Sequence, residues 1–351
     1  MEPKYPLYAR TAFILLALVL AVFILSYASG VFIPLVFSLL ISALLYPMCK
    51  FLEVKLHFPR FLASLVCVLV FISFIAGFIY FITFQVVNFS KDLPHLQERV
   101  QQLLNEFQGW VYHKYHIDSK KQIDYLDKSS QGIVSTAATS ITSVFTSVAT
   151  LTIWTIFVFI YTYFMLLHRR LLLRFVLHSF SPKYRDQVND AVNETRGMIN
   201  SYVLGLLTEM VVVSILNCTV LSILGIPYAI LLGVVAAVLN IIPYLGIYTG
   251  MAIGMLVTFT NSSAAQALEL AISFLCIHFV DANILMPRIV GSRVKMNPLI
   301  TIITVLVGHL IWGISGMFLF IPIMGIIKIV SERVESLKAW AILIGVEEKE
   351  K

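Results

Sequence analysis

Charged residues are scarce in this chain. They make up 13% of its 351 residues, while hydrophobic residues make up 59%. Because soluble domains contain roughly 25% charged residues, this composition excludes an ordinary soluble globular protein. The apolar runs extend over about 20 residues or more, as spanning helices require, whereas a membrane β-barrel would show alternating segments of about 10 residues. The sequence therefore predicts an all-α polytopic membrane protein.

Cysteines and enzyme motifs are also few. The four cysteines lie in or beside apolar segments without paired spacing, which is typical of small core residues and not of a disulfide framework or a metal site: Cys49, Cys67, Cys218 and Cys276. The sequence contains no Walker A loop, dinucleotide fingerprint or nucleophile elbow. We therefore expect no enzyme activity, no cofactor and no metal, so that transport would depend on a gradient or a partner.

Eight apolar segments make up most of the chain, and they cover residues 11–28, 31–48, 61–87, 141–167, 199–224, 228–260, 267–285 and 299–330. The first is expected to be a retained helix and not a signal peptide, because a second apolar run follows after two or three residues. The net charge of +6 comes from short basic clusters beside these runs. That distribution indicates orientation in a membrane and does not indicate nucleic-acid binding.

The basic clusters predict the orientation of the chain. They lie in 49–60, 168–196, 286–297 and the C-terminal tail. The positive-inside rule places all four in the cytoplasm, with both termini. We therefore expect a multi-pass protein of the bacterial cytoplasmic (inner) membrane.

This orientation conflicts with a single span at 228–260, which would place 286–297 outside. The conflict disappears if 228–260 is a re-entrant hairpin broken near Pro243 and Gly246, with arms of about 15 residues, or roughly 22 Å, too short for a core of ~30 Å. Segment 299–330 repeats the pattern with a break at 313–316. The two units then form an inverted repeat. The alternative is two long kinked spans with one basic loop on the outside.

The same segments suggest a division of the chain. We expect an N-terminal transmembrane scaffold at 1–168, a cytoplasmic linker helix at 169–198, a transport core at 199–338 and a cytoplasmic tail at 339–351. Ser181 and Pro182 have the pattern of a helix cap followed by proline. An external insertion at about 91–140 contains an amphipathic helix, which would lie on the bilayer or form a self-association surface between protomers.

Two acids lie inside apolar runs, where ionisable residues are usually functional. Glu209 lies about ten residues into its segment, and Asp281 lies near the end of another, beside Asn283. A buried carboxyl group can exchange a proton near neutral pH, or hold a cation together with carbonyl oxygens. The alternative is a structural hydrogen bond between helices. His278, three residues before Asp281 on one helical face, is a candidate proton relay or a helix-end partner.

Residues at the helix breaks are the remaining candidates for the substrate or ion site. Prolines and glycines there free backbone carbonyls that can coordinate an ion or a solute. The predicted set is Asn240, Pro243, Tyr244, Gly246, Gly313 and Gly316. Asn217 and Gln266 are weaker polar candidates of the same kind. Small residues spaced by four, such as Gly246, Gly250 and Gly254, chiefly indicate close packing between hairpin arms.

Several motifs resemble the autoinducer-2 exporter family over essentially the whole chain. They are GIPY at 225–228, NIIPYLG at 240–246, DANILMPRIVG at 281–291, NPL at 297–299, GISG at 313–316 and Pro322. The chain departs from the common family pattern in two places. Many members have Gly-Gln where this chain has Gly205-Leu206, and many have Glu-Asn where this chain has Asp281-Ala282-Asn283.

The resemblance implies a permease or exporter of a small solute, driven by H⁺ or Na⁺, with an autoinducer-2-like signal as its cargo. It also implies a homo-oligomer whose other partners are the substrate and membrane lipids. Because some members are assigned to sodium/proton exchange, a Na⁺(Li⁺)/H⁺ antiporter is the alternative. A membrane scaffold that transports nothing is the alternative from another class.

Overall fold

The computed structural model describes residues 6–90, 102, 154–241, 245–291 and 296–346. Within them the regular structure is helical, apart from one isolated β-bridge between Met296 and Gly345. The helices are α1 (Leu7–Tyr27), α2 (Ser29–Lys55), α3 (Arg60–Ser90), α4 (Trp154–Leu167), α5 (Arg169–His178), α6 (Arg185–Ile223), α7 (Ala229–Leu239), α8 (Leu245–Asn261), α9 (Ala264–Val280), α10 (Pro298–Arg333) and α11 (Lys338–Ile344).

Among the described residues, six helices are long and apolar enough to cross a membrane, and α4 with α5, bent by 70°, makes a seventh if the pair is one span. The six are Tyr8–Tyr27, Ser29–Lys55, Arg60–Phe89, Pro182–Ile223, Ala264–Ile289 and Pro298–Arg333. These helices confirm the predicted all-α polytopic class. The predicted external insertion lies almost wholly outside the described residues.

Segment 228–260 is a helical hairpin, as predicted. Its arms are α7 and α8, of 11 and 17 residues, and we call the pair hairpin 1. The arms lie so close that a Cβ added to Gly250 would be 3.0 Å from the Cβ of Ala236, while Gly246 lies against the backbone of Leu239. Gly246 pairs with Leu239 near the turn, and Gly250, farther along the chain, pairs with the earlier residue Ala236. The arms are therefore antiparallel.

Segment 299–330 also reverses its direction, at a break inside α10. Inside α10, Trp312 (φ −129°, ψ 17°) and Gly313 (φ 60°, ψ −139°) leave the helical conformation. The positive φ at Gly313 is one that glycine adopts without steric cost. Gly308 and Gly316 then contact each other's carbonyl groups, whereas residues eight apart in a straight helix are separated by about 12 Å. We call arms 298–311 and 314–333 hairpin 2.

The four basic segments lie together at one end of the helices. An ion pair joins Arg169 to Glu53 at the end of α2, and another joins Arg333 to Glu194. The backbone N–H of Asn297 donates to the carbonyl of Ile344 at 2.9 Å. Hairpin 2 therefore begins and ends at this basic end, while hairpin 1 is entered from the opposite end of α6. The two helix-plus-hairpin units run in opposite directions, as the orientation argument predicted.

The long helix α6 joins the predicted linker to the predicted core without a break. It spans 39 residues, about 58 Å. It begins after a 3₁₀ turn, Pro182–Tyr184, and within the described residues the Ser181 side chain makes no capping hydrogen bond there. The expected proline start is therefore present, but the expected side-chain cap is not. Near its basic end, α6 packs against α2 and hairpin 2 through Met198, Ile199 and Tyr202.

Candidate ion and substrate site

One face of α6 positions Glu209. The residues buried along this face recur every three or four positions, which is the helical repeat: Met198, Ile199, Tyr202, Gly205, Glu209, Val213, Asn217 and Leu221. Beyond Glu209, Val213 packs in a cluster with Ala237 of α7 and Ile277 of α9. Apolar packing of three helices thus holds Glu209 where α7 and α9 meet α6.

Asn240 links this glutamate to the second acid. It lies at the C-terminal end of α7, where hairpin 1 turns, and its backbone amide donates to the carbonyl of Ala236 at 2.9 Å. Its side-chain Nδ2 donates to Oδ2 of Asp281 at 2.8 Å and to Oε1 of Glu209 at 3.5 Å. The structure therefore brings together three predicted site residues from α6, hairpin 1 and the end of α9.

Both carboxyl groups are removed from solvent. Glu209 is 6% exposed and Asp281 is 3% exposed. Oε2 of Glu209 and Oδ1 of Asp281 are each buried without a hydrogen-bond partner among the described residues. Because buried polar atoms are nearly always partnered in folded proteins, each of these oxygens can accept one further partner, such as a proton, an ion or a water molecule.

The backbone around Asp281 is irregular. Asp281–Leu285 and Pro287–Gly291 form π-helical turns that continue from α9. Such turns are frequent at functional sites, because the widened helix shifts side chains from their regular positions. Pro287 has no N–H and cannot complete the helical hydrogen-bond pattern. Asp281 therefore lies where α9 leaves regular geometry.

Three other predicted residues, Asn283, Gly313 and Gly316, lie away from this cluster. Nδ2 of Asn283 donates to the carbonyl of Phe279 at 2.8 Å, and the side chain is exposed. Gly313 and Gly316 form the turn and the close contact of hairpin 2. Gly246 packs beside Asn240 and supports the turn of hairpin 1. Pro243 and Tyr244 lie outside the described residues.

His278 is only partly buried, and its Nδ1 has no hydrogen-bond partner among the described residues. It lies one turn before Asp281 on α9, so the relay stays a prediction. Within the described part of the chain, no three His, Cys, Asp or Glu side chains form a group that could hold a metal ion. An ion at this site would instead contact oxygens of the two carboxyl groups.

Two further polar residues lie on the same face of α6 as Glu209, and the sequence singled out neither as a main site residue. Asn217, two turns beyond Glu209, is buried and its Oδ1 lacks a partner among the described residues. Tyr202, two turns before Glu209, places its hydroxyl 3.5 Å from the carbonyl of Phe318 in hairpin 2. Their spacing from Glu209, seven and eight residues, was the available signal. One face of α6 therefore contacts both hairpins.

Known proteins place the chain in a family. Residues 13–336 match the family described as "AI-2E family transporter". The chain is 28% identical over 336 residues to the proposed transport protein YueF of Bacillus subtilis, covering 90% of each chain. It is 26% identical over 311 residues to the proposed transport protein YrrI of the same organism, covering 85% of each. The match to YhhT of Escherichia coli, at 28%, covers 32% of each chain. This multi-pass membrane protein belongs to the AI-2E transporter family.

Proposed function

We propose that this protein is a secondary transporter in which Glu209, Asn240 and Asp281 bind the coupling ion, a proton or Na⁺. The observation that supports this assignment is the single Asn240 amide shared by two buried carboxyl groups. The helix-plus-hairpin units of opposite direction support the same class, because secondary transporters place their ion sites at broken helices between inverted repeats.

The alternative of a purely structural contact explains the cluster less well. A hydrogen bond between α7 and α9 needs only one acid, yet a second carboxyl group faces the same amide. Two carboxylates in an apolar bundle repel each other, and a neutral amide cannot offset their charge. A bound proton or monovalent cation removes one unit of negative charge, and the unpartnered oxygens of Glu209 and Asp281 are available to hold it.

The position of Asn240 also provides a way to couple binding to movement. Glu209 and Asp281 lie on long helices, whereas Asn240 lies at the turn of a short hairpin. Movement of hairpin 1 relative to α6 and α9 would separate the amide from both acids. Ion occupancy and hairpin position would then depend on each other, as alternating access requires.

The cargo follows from the family description alone. We propose export of a small solute, with an autoinducer-2-like compound as the first to test. Na⁺(Li⁺)/H⁺ exchange without an organic substrate is the second candidate. It is favoured by the two unpartnered carboxyl oxygens of Glu209 and Asp281, because hard cations prefer oxygen ligands.

The basic residues at one end of the molecule are the basis for its proposed orientation in the membrane. We propose that it faces the cytoplasm of a bacterial inner membrane, because basic residues are retained on that side. Both termini would then be cytoplasmic. Homo-oligomerisation, with the predicted insertion as its surface, is part of the same proposal. Reporter fusions at the C-terminus and the mass of the purified protein in detergent test these two points.

The decisive experiment uses purified protein in liposomes with a trapped pH-sensitive dye, under Na⁺, Li⁺ and K⁺ gradients in turn. If the protein is the cation/proton antiporter, proton movement should require a cation gradient and should fall to the level of empty liposomes in Glu209→Gln and Asp281→Asn. The matched control is Glu269→Gln, which removes an exposed carboxyl group from α9 and should transport normally.

Three outcomes would contradict parts of this proposal. Normal transport by both site variants would show that the acids are not the coupling site. Absence of proton movement by the wild type in every cation gradient would exclude ion exchange, and autoinducer-2-like solutes would be tested next. Absence of transport for these solutes as well would favour the scaffold hypothesis.

A further inference from the structure

Helix α5 turns away from the direction of α4 at the basic end of the molecule. The two helices meet at His168 with a bend of 70°. The Arg169–Glu53 ion pair fixes the start of α5 to the end of α2. Leu171 and Phe175 are 63% and 70% exposed. Exposed apolar residues beside arginines at the end of a span are typical of a helix in the membrane interface.

A partly open groove of about 230 Å³ lies between α5 and the helices α2, α4 and α6. Most of its lining is apolar, including Leu39, Met165, Leu173, Val176 and Ile199. One water molecule takes about 30 Å³ in the liquid, so the volume of the groove equals that of roughly seven or eight water molecules. A segment of a hydrocarbon chain fits a groove of this size and composition.

Two guanidinium groups lie over one ring in the lining of this groove. The Cζ atoms of Arg169 and Arg196 lie 5.4 and 4.3 Å from the centroid of the Tyr46 ring, and all three residues line the groove. A guanidinium that stacks on a ring keeps its in-plane N–H groups for other acceptors. Arg169 donates to Glu53 and Cys49, so Arg196 is the guanidinium that presents hydrogen-bond donors beside the apolar walls.

The charge at this position is positive. Residues 168–196 contain six arginines and lysines and three acidic residues. Arg169 is paired with Glu53, and Glu194 is paired with Arg333. Among the described residues, no carboxylate lies within ion-pair distance of Arg196. Arg196 thus adds a positive charge to the groove without a carboxylate beside it.

We propose that this groove binds an anionic phospholipid, with its phosphate on Arg196 and one acyl chain along the apolar walls. Arginine suits a phosphate because its planar N–H groups can form two parallel hydrogen bonds. A lipid fits better than a free phosphate, because most of the lining is apolar and would contribute nothing to a small anion. The interfacial position of α5 places the groove at the depth of lipid headgroups.

The test measures lipid retention by the full-length protein in detergent. Native mass spectrometry with equal amounts of phosphatidylglycerol and phosphatidylcholine should show preferential binding of phosphatidylglycerol. Arg196→Gln should weaken its apparent affinity about tenfold, the effect of losing hydrogen bonds to a charged group. Lys50→Gln removes the same charge from an exposed position of α2 outside the groove and should retain the lipid like the wild type.

A second variant tests the acyl-chain part of the site. Val176→Trp fills the groove but keeps every charge, so it should also lower phosphatidylglycerol retention. If Arg196→Gln does not yield a monodisperse protein, Val176→Trp alone tests whether the groove binds the lipid. The proposal is wrong if the wild type shows no preference between the two lipids, or if either variant binds like Lys50→Gln. It is also wrong if millimolar glycerol phosphate displaces the lipid, because the headgroup alone would then suffice.

Discussion

The two hairpins share a form and differ in what their turns contact. The first arm of hairpin 1 ends at Asn240, whose side-chain amide faces Glu209 and Asp281. Hairpin 2 turns at Trp312, which is buried in an apolar cluster, and its Nε1 donates to the carbonyl of Leu25 in α1 at 2.9 Å. A broken helix is therefore not by itself a binding site, because the groups that face the break determine its role.

Both hairpins have closely packed arms, and in hairpin 1 Gly246 lies against the backbone of Leu239. In hairpin 2, Gly308 and Gly316 bring the two backbones into direct contact. In hairpin 1, the facing pair includes the methyl group of Ala236 opposite Gly250.

Hairpin 2 is further tied to α6 by Tyr202 and by the Arg333–Glu194 ion pair. Hairpin 1 also packs closely on α6, where Gly233 lies against the backbone of Cys218. Because the turn of hairpin 1, and not that of hairpin 2, faces the two acids, we expect hairpin 1 to move during transport and hairpin 2 to act as a support.

The largest expected effect comes from separating the arms of hairpin 2. Gly316→Leu places a side chain against the Gly308 carbonyl, and overpacking against backbone should cost about 3 kcal/mol of stability, the upper end of the usual range. Thermal unfolding in detergent measures the loss. Gly77→Leu is the control, because no described atom lies within 4 Å of a Cβ added there. Equal melting temperatures would show that the arms are not in close contact.

The next largest effect should be on transport and not on stability. Asn240→Leu removes the shared amide, and the loss of a hydrogen bond to a charged group, about 1.5–3 kcal/mol, corresponds to a fall in coupled flux of roughly 10- to 100-fold. The liposome assay measures it. Asn283→Leu is the matched control, because that side chain bonds a carbonyl of its own helix. A similar loss in both variants would refute the distinction between the two asparagines.

Trp312→Phe should produce the opposite result at the turn of hairpin 2. It keeps an aromatic ring in the apolar cluster but removes the hydrogen bond to Leu25. The expected cost is about 0.5–1.5 kcal/mol of stability, with flux unchanged. Unfolding and flux are both measured on the same preparation. A loss of flux without a loss of stability would give hairpin 2 a direct part in transport.

The smallest effect should come from Glu194→Gln, which breaks the ion pair between α6 and hairpin 2. Glu194 is half exposed, and exposed ion pairs contribute about 0.2–1 kcal/mol. The melting temperature should therefore fall slightly at low salt and should match the wild type at high salt, because salt screens exposed charges. A large, salt-independent loss would indicate that this contact holds hairpin 2 in place.

The sequence predicted both hairpins because their signals are local. Proline and glycine break the apolar runs, and the basic residues at 286–297 exclude a simple count of spans. The acids were equally visible, because carboxyl groups are rare in such runs. These features depend on short windows of sequence, and the structure places them as expected.

The partners of the acids could not be predicted in the same way. Asn283 is two residues from Asp281 in the sequence, but it bonds Phe279. Asn240 is 41 residues away and makes the contact, which depends on how hairpin 1 packs against α9. The groove beside α5 likewise depends on the Arg169–Glu53 pair, whose members are 116 residues apart. Contacts of this range follow from packing and not from local pattern.

The shared amide of Asn240 has an electrical consequence. Because this amide is neutral, the proposed site at Glu209 and Asp281 would change its charge by one elementary unit with each proton or Na⁺ that it binds. Exchange of one proton for one Na⁺ would be insensitive to membrane voltage. Exchange of two protons for one Na⁺ would move net charge, and each charge is worth about 2.3 kcal/mol per 100 mV. The number of acids beside one asparagine thus sets whether the membrane potential can drive the proposed transport.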